Sequence, residues 1–347
     1  MSVTVVPASP GEQTFLAFLG AASAVRGNDP LAPAPPPELT GFQLAPDAPW
    51  RRHGEAQPFV ALRGEQPVGA LVAAIDRRAP CGTFGFFDCI NDEATVIALF
   101  DAGLGWLRGK GVTHVEGPIQ VHALGGYRLQ IAGHERTPFI GEPRNPIWYP
   151  ALVERLGFSS CATWRTWDFE GLKLLAFRAF HRVQGWKNAR LRRRGFTTVE
   201  MNGAHFEEEM TRIYPIIMEC YAGAPAFWPL DLDEYLRLNL PLKGAGGVRG
   251  ALLYKEGEAD PIGFGMGIEE PARGVMHSFG ILRGYRGLGL AHLVMEHAFA
   301  ELRKRPFKSV VGALAKEGST KYDEVGGKPS RRYALYRRDT SPVGRST

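Results

Sequence analysis

Between Val275 and Leu302 the chain passes from an apolar strand pattern, Val275–Leu282, through Arg286-Gly287-Leu288-Gly289-Leu290-Ala291 into a helical pattern, Leu290–Leu302. Two glycines between a strand and a helix let the backbone turn tightly and approach a ligand closely. The first N–H groups of a helix have no partner inside it, and the helix dipole places roughly half a positive charge there. Such a junction is built for an anion, above all a phosphate. Arg283 and Arg286 add mobile positive charge beside it. A dinucleotide fold is excluded here, because there is no Gly-x-Gly-x-x-Gly and no acid about 20 residues further on. A Walker A loop is excluded by the missing Gly-Lys-Ser/Thr.

The 347 residues suggest two domains at ~100–200 residues each. Phe59–Leu62 and Val68–Ile75 read as strands about a turn at Gly64-Glu65, and Thr83–Cys89 as a third. Glu93–Arg108 has the apolar spacing of a helix capped by Asn91 or Asp92. The proline-rich stretch 28–50 reads as an irregular loop. A basic helix is predicted at about Leu172–Leu191, then helices at Phe206–Cys220 and Asp231–Leu238. Strands follow at Val248–Tyr254, Pro261–Ile268, Val275–Leu282, Ser309–Leu314 and Arg332–Tyr336, with a helix at Ser319–Val325. The halves repeat weakly: Pro67-Val68-Gly69 parallels Pro261-Ile262-Gly263, and Val153–Phe158 parallels Tyr322–Gly327. A duplicated α/β unit explains this, with an N-terminal domain over 1–170, a basic linker helix over 171–195 and a C-terminal domain over 196–340.

The net charge is +5 and the pI about 9.0. Lys173, Arg178, Arg182, Lys187, Arg190, Arg192, Arg193 and Arg194 form a stretch without an acid. It suits an acidic partner such as a carrier protein, a leader peptide or RNA, or simply a solvated helix face. Cys81, Cys89, Cys161 and Cys220 form no Cys-x-x-Cys pair, so free thiols are expected, and no histidine pattern implies a metal. No apolar run reaches the ~20 residues of a membrane span, and the start lacks the pattern of a secretory signal. The expectation is a cytoplasmic protein with no membrane partner.

The motif Arg286–Ala291, with its strand before and helix after, resembles the pyrophosphate loop of the GNAT (GCN5-related) N-acyltransferase superfamily. The whole chain resembles a group of bacterial tandem-GNAT proteins. Gly85-Phe86-Phe87-Asp88, Gly117-Pro118, Asn145–Pro150, Phe227-Trp228-Pro229-Leu230 and Tyr333–Tyr336 carry that likeness, and Ile119–Leu129 departs from it. The resemblance implies two tandem α/β domains, each with a mixed, mostly antiparallel sheet flanked by helices. It implies acyl-CoA, acetyl or longer, as co-substrate, and an amine of a small molecule or peptide as acceptor. Phe279, Gly280 and Ile281 would pair with the pantetheine arm, Arg286, Gly287, Leu288, Gly289, Leu290 and Ala291 would hold the pyrophosphate, and Leu282 and Arg283 between them would complete the cofactor-binding set. Tyr322 would protonate the departing thiolate. Glu269, Glu270, His277 and Glu219 are the candidate bases, the first and third leading. The N-terminal half has Asp88-Cys89-Ile90-Asn91-Asp92-Glu93 where the loop would be, and its acids would repel a pyrophosphate. Two other classes fit the residues: an aminoacyl-tRNA- or carrier-protein-dependent transferase on the same fold, and a non-catalytic binding protein.

Overall fold

The computed structural model describes residues 2–183, 185–201, 203–244, 248–303, 307–318 and 328–341. The chain forms two compact units. The first comprises Met1–Thr163, Pro225–Trp228 and Arg331–Thr347, and the second Trp164–Ala224 and Pro229–Ser330. Neither is one continuous stretch, so the boundaries near 170 and 196 read from the sequence do not coincide with them.

In the first unit, β1 (Val3–Pro7), β2 (Gly54–Arg63), β3 (Gln66–Asp76) and β4 (Gly82–Cys89) pair antiparallel in that order. β5 (His114–Gly117) then pairs parallel to β4 through two residue pairs only, Gly82↔Val115 and Thr83↔Glu116. β13 (Arg331–Asp339) pairs antiparallel with β5 and with the short β6 (Leu129–Ala132). Alternation along the strands sorts the core between two faces. Phe59, Ala61, Leu71 and Ala73 cluster with Val96, Leu99 and Phe100 of α3 (Glu93–Gly109). Val60, Ala70, Val72 and Ala74 cluster with Phe15 and Phe18 of α1 (Gln13–Arg26). The stretch 28–50 contains a helix, α2 (Pro37–Leu44), that proline counting conceals. Its proline stands in the first turn, where no N–H bond is lost. The short α4 (Tyr149–Arg155) precedes β7 (Ser159–Glu170), whose residues from Trp164 onward belong to the second unit.

The second unit repeats the plan. β8 (Phe196–Met201), β9 (Val248–Lys255), β10 (Gly263–Glu269) and β11 (Arg273–Ile281) pair antiparallel in order. β12 (Ser309–Lys316) pairs parallel to β11 and antiparallel to β7. The predicted basic helix is two, α5 (Gly171–Val183) and α6 (Gly185–Arg193). α7 (Phe206–Cys220) and α8 (Leu232–Gly244) follow β8, and α9 (Ala291–Arg303) follows β11. The helix expected at Ser319–Val325 lies outside the described residues.

Candidate active site

β10 pairs with β11 along its whole length, but β12 pairs only with Arg273–Met276. Beyond Met276 the two parallel strands part. β12 bends away because its register with β7 breaks between Gly312 and Ala315, where Leu314 adopts φ 53 and its N–H donates to Thr166 Oγ1 at 3.0 Å. At the parting, Met266 faces Ser278 and Gly267 faces Met276, so His277 is the extra residue of a β-bulge. Bulges bend a strand and re-aim side chains, often at active sites. His277 Nδ1 lies 2.8 Å from Ser278 Oγ, which orients the ring.

The edge of β11 past the bulge offers main-chain groups. Leu282 N–H donates to Ile262 O at 2.9 Å, and antiparallel pairing alternates from there. Phe279 and Ile281 therefore direct N–H and C=O away from β10, into the opening. The Ile281 carbonyl is taken up by Arg286 Nε at 2.9 Å and Cys220 Sγ at 3.2 Å. Gly280 is glycine for packing: a Cβ there would lie 2.9 Å from Phe264 Cε1 and 3.2 Å from Cys220 Sγ.

The loop then turns through a single 3-10 turn, Arg283–Tyr285, and reaches α9 through Gly287 at φ 80 and Gly289 at φ 77. These left-handed conformations suit glycine alone among ordinary residues. Leu290 is buried and anchors the turn, while Arg283 and Arg286 to Gly289 are exposed. No acid occupies the first turn of α9. α9 is fixed from behind by α6, since Asn188 Nδ2 donates to Glu296 Oε2 at 2.6 Å and Arg192 pairs with the same oxygen at 3.0 Å.

The structure thus brings His277, Phe279, Gly280, Ile281, Leu282, Arg283 and Arg286 to Ala291 onto one strand edge and the loop that continues it. Glu269 stands elsewhere. It faces Gly274 and pairs with Arg249 at 3.2 Å, three residues or about 10 Å of strand before the bulge. Glu270 is paired with Arg273. Glu219 accepts the Arg283 N–H at 2.5 Å and so holds the start of the loop. Tyr322 lies outside the described residues. Sequence reading missed Ser278, Asn188 and Thr166, which act through register and packing and carry no motif.

The equivalent place in the first unit is closed by the chain itself. β4 and β5 part after Thr83, but Ile119 N–H donates to Phe84 O at 2.7 Å across the gap. A Cβ on Gly85 would lie 2.1 Å from Ile119 O, so the loop after Gly117-Pro118 sits directly on β4. This is the segment that departs from the family pattern. At the strand end, Tyr149 Oη accepts the Cys89 N–H at 3.1 Å, and Trp148 Nε1 donates to Cys89 O at 3.0 Å. Tyr149 donates to Asp88 at 2.7 Å, and Arg26 Nε donates to the same carboxylate oxygen at 2.6 Å. Burial opposes the Arg26 charge, but Asp88 outweighs it and the guanidinium pKa rises. Burial and then Asp88 hold the Tyr149 phenol well above its ordinary value. The Cys89 N–H and C=O and the Asp88 carboxylate at the end of β4 are thus already bonded within the unit.

Comparison with known proteins agrees with this geometry. Residues 210–319, which include the whole bulge and loop, match the Acetyltransferase (GNAT) family. Protein YghO of Escherichia coli (strain K12) is 26% identical over 193 residues, 54% of this chain and 48% of that protein. Bacterial ceramide synthase of Caulobacter vibrioides (strain NA1000 / CB15N) is 25% identical over 202 residues, 56% of this chain and 51% of that one. The chain spans about half the length of the curated relatives it matches. Among solved structures, a tandem GNAT protein from the clavulanic acid biosynthesis pathway, without AcCoA, superposes with a TM-score of 0.61 at 12% identity, covering 99% of this chain and 100% of that one. Residues 210–319 thus match the GNAT family, and the chain as a whole has the fold of the tandem GNAT protein.

Proposed function

We propose that the second unit transfers an acyl group from acyl-CoA to an amine. The observation that carries this reading is the continuous run from an open strand edge into an exposed two-glycine loop and a helix N-terminus. An extended pantetheine arm can add to the edge as a strand would, and a pyrophosphate fits the loop. The thioester carbonyl would then lie near the bulge, polarised by a main-chain N–H of β11. The amine attacks that carbon, the C–N bond forms, and the C–S bond breaks. His277 takes the proton lost by the amine, imidazole being the side chain that exchanges protons near neutral pH. The family role of Tyr322, returning a proton to the thiolate, completes the balance. The first unit supports the second and binds no CoA.

The acceptor is proposed from the relatives. A ceramide is the amide of a long-chain amino alcohol, so the likeness to bacterial ceramide synthase makes that class of amine the first to assay. The cofactor is tested by thermal shift with CoA, acetyl-CoA and palmitoyl-CoA. Ligand at 100 times its Kd adds about 2.7 kcal/mol of stability. The shift is expected for the native chain and is lost in Arg286→Glu. An unchanged shift in that variant removes the loop from the site, and no shift with any of the three ends the acyl-CoA reading.

A further inference from the structure

The second unit carries an apolar stripe on its surface that its core does not use. On α5, Leu174 and Phe177 are buried with Trp167 and Phe169. Leu172, Leu175, Ala176 and Ala179 are exposed, at the i, i+3, i+4, i+7 spacing of one helix face. Leu172 is 84% exposed and Leu175 59%, and Trp186 at the start of α6 is 65% exposed. Single exposed leucines are ordinary, but a stripe at helical spacing is not. Lys187, Arg190 and Arg193 are exposed on α6 and Arg194 directly after it, and no acid occurs between Gly171 and Gly195. Lys187 Nζ stands 5.5 Å from the Trp186 ring centre.

We infer that α5 and α6 form a docking surface for an anionic lipid membrane, on which the protein lies without crossing it. The composition is that of an interfacial helix: leucine and tryptophan to enter the headgroup boundary, lysine and arginine to meet the lipid phosphates. No helix among the described residues is long and apolar enough to cross a membrane. The expectation of no membrane partner rested on that lack of a span, which does not bear on surface binding. RNA or an acidic carrier protein would engage the charges but would leave the leucine stripe in water, whereas a lipid surface takes up both.

The test is co-sedimentation of the full chain with phosphatidylcholine vesicles containing 0% or roughly a third phosphatidylglycerol, at low and raised salt. Binding is expected to the anionic vesicles only and to weaken as salt rises. The triple variant Leu172→Ser, Leu175→Ser, Trp186→Ala and the triple variant Lys187→Glu, Arg190→Glu, Arg193→Glu are each expected to lose at least tenfold in affinity. Both are checked for an unchanged melting curve; if the serine variant is unfolded, Leu172→Gln alone, at the most exposed position, replaces it. Failure of the native chain to sediment overturns the proposal. So does full binding by the apolar variant, which would make the surface a purely electrostatic site for RNA or a carrier protein. A dimer in gel filtration that the serine variant dissociates also overturns it, because the stripe would then belong to a second copy.

Discussion

His122 is buried in the first unit, with its Nδ1 accepting the Leu124 N–H at 3.2 Å and its Nε2 3.0 Å from Trp228 O. Those partners fix the neutral ring with the proton on Nε2. A second proton would have to go on Nδ1, against a donor and without water. Burial pushes the imidazole from 6.5 down to about 4, although the Trp228 contact and Asp76 act in the opposite direction. The unfolded chain takes up this proton near 6.5 while the folded chain resists until about 4. Stability from this residue is therefore complete above 6.5 and falls as pH drops through that window, by about 3 kcal/mol at most. Urea unfolding from pH 7 to 4 should show that slope, and His122→Asn should flatten it while costing stability at pH 7. An identical slope in the variant would place the effect on other groups. In the proposed mechanism the proton-accepting residue is His277. His277→Ala is expected to lower kcat by about 10²–10⁴-fold with the CoA thermal shift retained, and Ser278→Ala to lower it less. A fully active His277→Ala would assign the base to water.

Strand edge, bulge and glycine loop work as elements, and the loop is testable apart from packing. A Cβ on Gly289 would meet nothing within 4 Å, so a side chain there creates no clash. What it opposes is the φ of 77, at roughly 1–2 kcal/mol for an L-residue. Gly289→Val should therefore cost CoA at least tenfold in affinity, measured by calorimetry, while the melting point without ligand moves by only a few degrees. Unchanged affinity would mean that the loop does not meet the pyrophosphate. This loop was legible in the sequence because it joins two periodic patterns with a chemical signal, Gly287, Gly289 and Arg286. The bulge was not, since His277 becomes an extra residue only against Met266 and Gly267 of another strand. The opening was not either, because it depends on where Leu314 leaves β11 for Thr166. α2 was hidden by the prolines on either side of its start. On the first unit the sequence at the end of β4 suggests repulsion by its acids, whereas Asp88 is taken up by Arg26 and Tyr149 in a buried network. Its closed edge predicts one CoA bound per chain in equilibrium dialysis, and a value of two would refute the closure.

The chain as a whole completes each sheet with a strand from the other's end. β13 follows the second unit in sequence but pairs with β5 of the first, Arg337 with Glu116 and Tyr336 with Gly117. β7 follows the first unit but its later half pairs with β12 of the second, Phe169 with Val310 and Trp167 with Gly312. The exchange is held by side-chain contacts. Arg331 Nε pairs with Glu142 at 2.9 Å, the two side chains being 1% and 0% exposed, and Tyr336 donates to Glu154 at 2.9 Å. Trp167 and Phe169 in turn fill the core of the second unit. Cutting after residue 170 would take both Arg331 and Tyr333 away from Glu142, and breaking a buried pair by removing one partner costs about 3–5 kcal/mol. That is a large share of the 5–15 kcal/mol by which whole domains are stable. It would also strip β5 of its neighbour and expose an edge in the middle of a sheet. Starting a fragment at residue 171 removes β7 and opens the second core. The residues 1–170 and 171–340, expressed separately, should therefore give no cooperative thermal transition by circular dichroism, whereas co-expression should restore one, together with the CoA shift. Two soluble fragments that each melt cooperatively would show that the exchanged strands are dispensable and that each half folds on its own.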